Sequence, residues 1–224
     1  MECRYFVEFE VKKMQDNRVS PELTFIKESW RKDDMRKLST LLISFFLLNG
    51  LWAVRPGELV NEWQLADLDG KTHRLSDYKD HVIVMEWFNY DCPFVLKHYD
   101  TGSIQKLQKQ SRDKGIIWLS VRSGKTDSEG LKNSAQNFKV NANAVLKDPN
   151  GMVAKHLGAR TTPHVFIIDK SGKVAYSGAL DDQPTPDPAS LKNARNYVAE
   201  ALNAILAGQQ VKVPATRPYG CGVK

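Results

Sequence analysis

From Gly57 onward, short apolar runs alternate with longer segments whose apolar residues recur at helical spacing. The runs HVIVMEWF and GIIWLSVR have the length and composition of buried β-strands. HVFIID and KVAYSG flank the turn residues Ser171-Gly172 and predict a hairpin. The segment LKNARNYVAEALNAILAG, which begins at Leu191, predicts a final helix. This alternation of strands and helices predicts an α/β fold.

Turn and helix signals predict where Cys92 lies relative to the strands and helices. Asp69-Gly70 lies between two short stretches and predicts a hairpin before the first long strand. Pro93 suits the first position of a helix, and Gly115 suits its end. Cys92 is therefore expected between a central strand and the N-terminus of a helix. After Gly208 the chain has no periodicity and is expected to extend over the surface.

The N-terminal part carries a different pattern. An apolar run without charge, residues 38–54, follows a basic cluster, and from Met35 the sequence resembles a secretory signal peptide over residues 35–53. An uncleaved membrane anchor is the main alternative, because cleavage after Ala53 puts Leu51 where a small residue is preferred; a buried core helix is another. Residues 1–34 are interpreted as upstream sequence included by a wrong start.

Export would leave two of the three cysteines in the mature chain. Cys3 belongs to the upstream segment, whereas Cys92 and Cys221 would work in a periplasmic or other extracytoplasmic compartment, where an even pair can close a disulfide. Attachment to the membrane is expected only if the segment 35–53 is not cleaved.

The composition indicates how many domains the chain forms and which classes of partner it binds. With 224 residues, 42% of them hydrophobic and 26% charged, the chain has globular composition and enough apolar material for one core. We expect one domain over residues 57–206, followed by a tail over residues 207–224. The net charge of +6 is spread over stretches of mixed sign, and no nucleic-acid motif accompanies it. The sequence therefore predicts a solvated basic surface and no nucleic-acid partner.

The expected position of Cys92 gives it a chemical interpretation. The N-terminus of a helix carries positive partial charge and unpaired N–H groups, which favour the thiolate form of a cysteine and make it a better nucleophile. The alternative is a structural cysteine, since a free cysteine packs like a small apolar residue. Local context alone leaves both open.

The order of a strand, Cys92, Pro93 and a helix, then Thr162-Pro163, a hairpin and a helix, resembles the thioredoxin-like superfamily over residues 57–206. The resemblance implies a central mixed sheet flanked by helices. It also implies that CPFV, residues 92–95, is a C-x-x-C site with Val95 in place of the second cysteine. Pro163 then corresponds to a cis-proline that shapes the site and preserves an edge on which a substrate chain can pair.

The same resemblance implies roles for other residues near this site. Glu86 falls where thioredoxins carry a buried acid that helps to move the thiol proton; a paired structural acid is the alternative. Pro93, Phe94 and Thr162 are expected to contact the substrate. No cofactor is implied.

More narrowly, the chain resembles the exported redoxins related to the alkyl hydroperoxide reductase and thiol-specific antioxidant family. The motifs DCPFVLKHY, ARTTPHVFIID, ALDD and PATRPYGCGVK carry this resemblance. It implies an exported oxidoreductase that exchanges thiols and disulfides with a protein or small-molecule partner through Cys92. Cys221, in the flexible context of Gly220 and Gly222, is a candidate resolving thiol. An unpaired tail cysteine and an intermolecular bridge are the alternatives.

Two other functions remain open at this point. A thiol peroxidase would form a sulfenic acid on Cys92, but Met85 and Asn89 stand where peroxiredoxins carry a proline and a hydroxyl residue. A non-catalytic or copper-handling protein could use His98 and His164. Because His98 does not share a helical face with Cys92, we interpret both as surface or supporting histidines and predict no metal site.

Overall fold

The computed structural model describes residues 53–224. The predicted upstream segment 1–34 and the signal or anchor at 35–53 lie outside the described residues, apart from Ala53 at their boundary. Within the described part of the chain, none of the helices has the length and apolar character needed to cross a membrane.

A mixed sheet forms the centre of the described structure, as predicted. Its strand order is β2-β1-β5-β4-β3-β7-β8, in which β3, β4 and β5 run parallel and the outer pairs are antiparallel. A second sheet contains only β6 and β9. The strands are β1 (Gln64–Asp67), β2 (Thr72–Arg74), β3 (Ile83–Trp87), β4 (Ile117–Ser123), β5 (Ala144–Asp148), β6 (Thr161–Thr162), β7 (His164–Ile168), β8 (Val174–Gly178) and β9 (Cys221–Gly222).

The helix predicted after Cys92 and the predicted final helix are both present, with two differences. The stretch after Cys92 forms two helices rather than one, because Gly102 adopts a left-handed φ of 72° between them. The last helix begins later than expected, at Tyr197, because a short 3₁₀ helix precedes it and Asn196 caps its first turn. The helices are α1 (Pro93–Asp100), α2 (Ser103–Asp113), α3 (Ser128–Asn137), α4 (Met152–Leu157) and α5 (Tyr197–Leu206), with 3₁₀ helices at Leu75–Tyr78 and Pro188–Asn193.

Two apolar clusters lie on opposite faces of the sheet, and β3 contributes to both. All five of its residues are buried, and successive side chains of a strand point to opposite faces. Val84 belongs to the cluster that contains Cys92, whereas Met85 belongs to the other. Glu86 therefore faces the same side of the sheet as Cys92.

Candidate active site

Cys92 lies where the sequence predicted it, directly before α1 and after the central strand β3. It is the N-cap residue of α1, with Pro93 at the first helical position, and it is fully buried. Its sulfur is bonded to the sulfur of Cys221 across 129 residues of sequence, with the two Cα atoms 6.0 Å apart. The structure thus contains the intramolecular disulfide that was one hypothesis from the sequence.

The tail reaches Cys92 by pairing with the segment before Pro163. Cys221 and Gly222 form β9, which pairs antiparallel with Thr161 and Thr162 of β6. The peptide bond between Thr162 and Pro163 is cis, and the carbonyl oxygen of Thr162 lies 3.0 Å from the sulfur of Cys92. The tail therefore occupies the edge that the resemblance assigned to a substrate chain.

Gly220 allows the tail to pass close to this edge. Its φ is +128°, a conformation that favours glycine. A Cβ at this position would lie 2.8 Å from the carbonyl carbon of Thr162 and would overlap its carbonyl oxygen. The approach of the tail thus depends on the absence of a side chain here.

The three residues expected to contact a substrate differ in their exposure. Pro93 is exposed beside the disulfide, and Phe94 is half-buried. The ring of Phe94 packs edge-on against Tyr219 of the tail, with the centroids 5.8 Å apart. Thr162 is buried and paired with the tail. In this oxidised form, the tail therefore contacts Phe94 and Thr162.

Glu86 is fully buried within a network of hydrogen-bond donors. Its carboxylate accepts from Trp118 Nε1 at 2.9 Å, Tyr99 Oη at 3.1 Å, Ser120 Oγ at 3.1 Å and Gln108 Nε2 at 3.2 Å. Burial raises the pKa of Glu86, and these four hydrogen bonds act in the opposite direction. The site therefore contains an acid that holds its proton more tightly than an exposed carboxyl does.

The relation of Glu86 to the cysteine is indirect. Among the described residues, the hydrogen-bonding partners of Glu86 do not include Cys92. One link between them is α1, since Tyr99 on this helix donates to Glu86 and Cys92 is the N-cap of the same helix. The predicted role of Glu86 in moving the thiol proton stays a prediction.

Comparison with known proteins agrees with this geometry. Residues 55–195 match the family model described as Redoxin. The chain belongs to the Redoxin family. The predicted thioredoxin-like redoxin fold and the oxidoreductase class are thereby confirmed.

Individual relatives of this redoxin support the same classification. It is similar to the thiol-disulfide oxidoreductase ResA of Geobacillus thermodenitrificans, with 26% identity over 122 residues that cover 54% of this chain and 68% of the relative. The crystal structure of an uncharacterized conserved protein from Geobacillus kaustophilus has a TM-score of 0.65 and 26% identity, covering 79% of this chain and 93% of that one. A hypothetical protein from Sinorhizobium meliloti 1021 shares the fold, with a TM-score of 0.68, 23% identity and coverage of 77% and 96%.

His98 and His164, the two histidines considered as copper ligands, are buried rather than at the surface. His164 Nδ1 accepts from the backbone N–H of Arg160 at 3.2 Å, and burial lowers its pKa to about 3, an effect to which the charge of Arg160 adds. Burial also lowers the pKa of His98 to about 4. In residues 53–224, no cluster of three or more His, Cys, Asp or Glu is arranged to hold a metal ion.

A buried polar cluster beside the disulfide was not found from the sequence. Lys97 and Asp181 are both buried, with Lys97 Nζ 3.5 Å from Asp181 Oδ2. Tyr219 Oη donates a hydrogen bond to Asp181 Oδ1, and the ring centroid of Tyr219 lies 5.0 Å from Lys97 Nζ. These residues belong to the motifs DCPFVLKHY, ALDD and PATRPYGCGVK, but no spacing rule connects motifs so far apart in sequence. The only indication in the sequence was that all three residues belong to the motifs that carry the family resemblance.

Proposed function

We propose that this redoxin is a thiol–disulfide oxidoreductase in which Cys92 is the nucleophile and Cys221 is the resolving thiol. The observation that supports this most directly is the bond between the two cysteines at the N-terminus of α1. A helix N-terminus stabilises a thiolate, so Cys92 is suited both to attack a disulfide and to leave from one. The similarity to a protein named thiol-disulfide oxidoreductase supports the same reaction class.

The proposed reaction has two exchange steps. The thiolate of Cys92 attacks one sulfur of a partner disulfide, forming a mixed disulfide, while the partner's other sulfur leaves with the bonding electrons and takes a proton. Cys221 then loses its proton and attacks the sulfur of Cys92. The bond between Cys92 and Cys221 forms, and the partner's remaining sulfur leaves as a thiolate and is protonated. The partner gains two electrons, and an external thiol reductant restores the redoxin.

Glu86 is proposed to accept and return the proton of Cys92. Two observations support this role: Glu86 faces the same side of the sheet as Cys92, and burial raises its pKa. Because the two side chains are not hydrogen-bonded to each other, the transfer requires an intervening water molecule.

The proposed partner is a protein or small molecule that carries a disulfide or a pair of thiols. The pairing of β9 with Thr161 and Thr162 indicates how an extended cysteine-containing segment can lie on this edge. A partner segment and the tail would use the same backbone groups. Binding of a protein partner therefore requires Cys221 and Gly222 to move away from this edge.

Reduction of insulin disulfides by dithiothreitol, catalysed by the purified full-length chain, tests the proposed function. Cys92→Ser should abolish catalysis. Cys221→Ser should still form a mixed disulfide but should release the partner only when external thiol attacks it. Cys3→Ser is the matched control, because Cys3 lies outside the proposed pair and its loss should leave the rate unchanged. Turnover by Cys92→Ser would contradict the assignment, as would release of the partner from Cys221→Ser at the wild-type rate before dithiothreitol is added, or thiol consumption driven only by hydrogen peroxide.

We also propose that the protein is exported. The basic cluster and apolar run before residue 54 support export, and a disulfide persists most readily in an oxidising compartment. Mass spectrometry of the protein from its native host tests this proposal. A mature N-terminus near Val54 or a membrane-bound chain agrees with it, whereas a cytoplasmic chain that retains MECRYFVEFE contradicts it.

A further inference from the structure

The buried cluster of Lys97, His98, Asp181 and Tyr219 needs an explanation beyond stability. The side chains of Lys97 and Asp181 are 0% and 2% exposed, and His98 Nε2 lies 3.3 Å from the same carboxylate oxygen as Lys97 Nζ. Removing charges from water is costly, so a buried ion pair contributes little net stability. In some proteins such groups instead fix one arrangement of the chain among several.

The cluster joins the helix that carries Cys92 to the tail that carries Cys221. Lys97 and His98 lie on α1, Asp181 follows β8, and Tyr219 belongs to the tail. Tyr219 donates to Asp181 Oδ1, and that oxygen also accepts from the backbone N–H of Gln183 at 2.7 Å. The tail thus completes a polar cluster that the folded domain has already assembled.

The ring of Tyr219 adds apolar and electrostatic contact on the same side. It packs against Phe94, and the ammonium group of Lys97 lies over its face. A cation over an aromatic ring is attracted to it, more strongly where water is excluded. Hydroxyl and ring therefore both hold this residue against the domain.

A second point of attachment lies a short distance upstream. Thr216 Oγ1 accepts from the backbone N–H of Ala179 at 2.9 Å and is 2.7 Å from the hydroxyl of Tyr176. Neither this attachment nor that of Tyr219 involves a sulfur atom. Both can therefore persist when the disulfide is reduced, and only the last residues of the tail need to move.

We propose that Lys97, Asp181 and Tyr219 form a tail clamp that keeps reduced Cys221 beside Cys92. Tyr219 and Asp181 are then positioning residues for the resolving step, and this inference rests on the proposed function. With Tyr219 docked, a single residue, Gly220, separates the clamp from Cys221. Holding two thiols in this way raises their effective concentration and shortens the lifetime of the mixed disulfide.

The two steps can be followed separately with 5,5′-dithiobis(2-nitrobenzoate), an aromatic disulfide that releases one coloured thiolate in each. A Cys3→Ser background leaves Cys92 and Cys221 as the reacting thiols. With one equivalent of the reagent, the first release reports attack by Cys92, and the second reports resolution by Cys221. Tyr219→Phe keeps the ring and removes the hydroxyl that bonds to Asp181. Tyr197→Phe is the matched control, because the described residues provide no hydrogen-bonding partner for the Tyr197 hydroxyl.

In Tyr219→Phe, the first release should keep its rate and the second should slow by about tenfold or more, since a hydrogen bond to a charged group is lost. Asp181→Asn should slow the second release in the same way, and Tyr197→Phe should change neither. A purely structural role would alter both phases together or lower the melting temperature without changing their ratio. An unchanged second release in Tyr219→Phe would overturn the clamp, even if Asp181→Asn fails to fold. A second release that survives Cys221→Ser would instead overturn the proposed function.

Discussion

Gly220→Ala provides a stringent test of how the tail approaches the disulfide. The φ of +128° at this position is unfavourable for alanine, and the new Cβ would overlap the carbonyl oxygen of Thr162. In the reduced protein, the end of the tail can move away and relieve both problems. In the oxidised protein, the bond to Cys92 prevents that movement. The substitution should therefore destabilise the oxidised state more than the reduced state.

The expected change in reduction potential for Gly220→Ala follows from the backbone conformation of this residue. A residue held in a sparsely populated φ/ψ region costs on the order of 1–3 kcal/mol. For a two-electron couple, this free energy corresponds to a rise in reduction potential of about 20–65 mV. Because the overlap with Thr162 adds to the cost, the result should lie in the upper part of this range.

The reduction potential of the Cys92–Cys221 pair can be measured by equilibration in dithiothreitol or glutathione buffers of known potential. Alkylation and mass spectrometry then give the reduced and oxidised fractions. Gly222→Ala, two residues further along the tail, is the matched control, because a Cβ there has no heavy atom within 4 Å and Gly222 lacks a left-handed φ. Its potential should stay close to that of the wild type. Equal potentials for the two variants would refute the argument that Gly220 is required by the close approach to Thr162.

Two further substitutions test the buried acid and the last helix. Because burial raises the pKa of Glu86 above its ordinary value of 4.5, the folded protein retains a proton that the unfolded chain releases, so the wild type loses stability as pH rises above that value. Urea denaturation at pH 4 and pH 8 gives the free energy of unfolding of Glu86→Gln minus that of the wild type. This difference should be more positive at pH 8 than at pH 4. An equal difference at both pH values would contradict this. Asn196→Ala removes the cap on Ala199 N–H and should cost about 1 kcal/mol, or about 2–4 °C in melting temperature, whereas Asn203→Ala on the exposed face of the same helix should not.

The sequence predicted the central strands well because a short apolar run reports burial directly. The continuous run at residues 82–88 becomes β3, with both faces covered, and the hairpin at Ser171-Gly172 joins β7 to β8. Helix boundaries were less predictable. The break at Gly102 and the late start at Tyr197 depend on the backbone conformation of single residues, which an amphipathic pattern does not predict.

The site could be predicted only in part, for a related reason. Cys92 and Pro163 belong to motifs that are local in sequence. Their neighbours Asp181 and Tyr219 become relevant only when β8 and the tail meet α1, and this contact depends on tertiary structure. The burial of His98 and Lys97 has the same origin, since each faces an acid supplied by a distant segment.

The presence of Val95, rather than a cysteine, three residues after Cys92 has a mechanistic consequence under the proposed function. Val95 is buried in the apolar cluster, so position 95 contributes to packing instead of supplying a thiol. A resolving thiol on α1 would remain beside Cys92 throughout the reaction. Cys221 instead arrives on a strand that pairs with the edge on which a partner chain would lie. Formation of β9 would then both bring Cys221 to the mixed disulfide and remove the partner's backbone from Thr161 and Thr162. Resolution and release of a protein partner would thus become one event, whose rate depends on how firmly Tyr219 holds the tail.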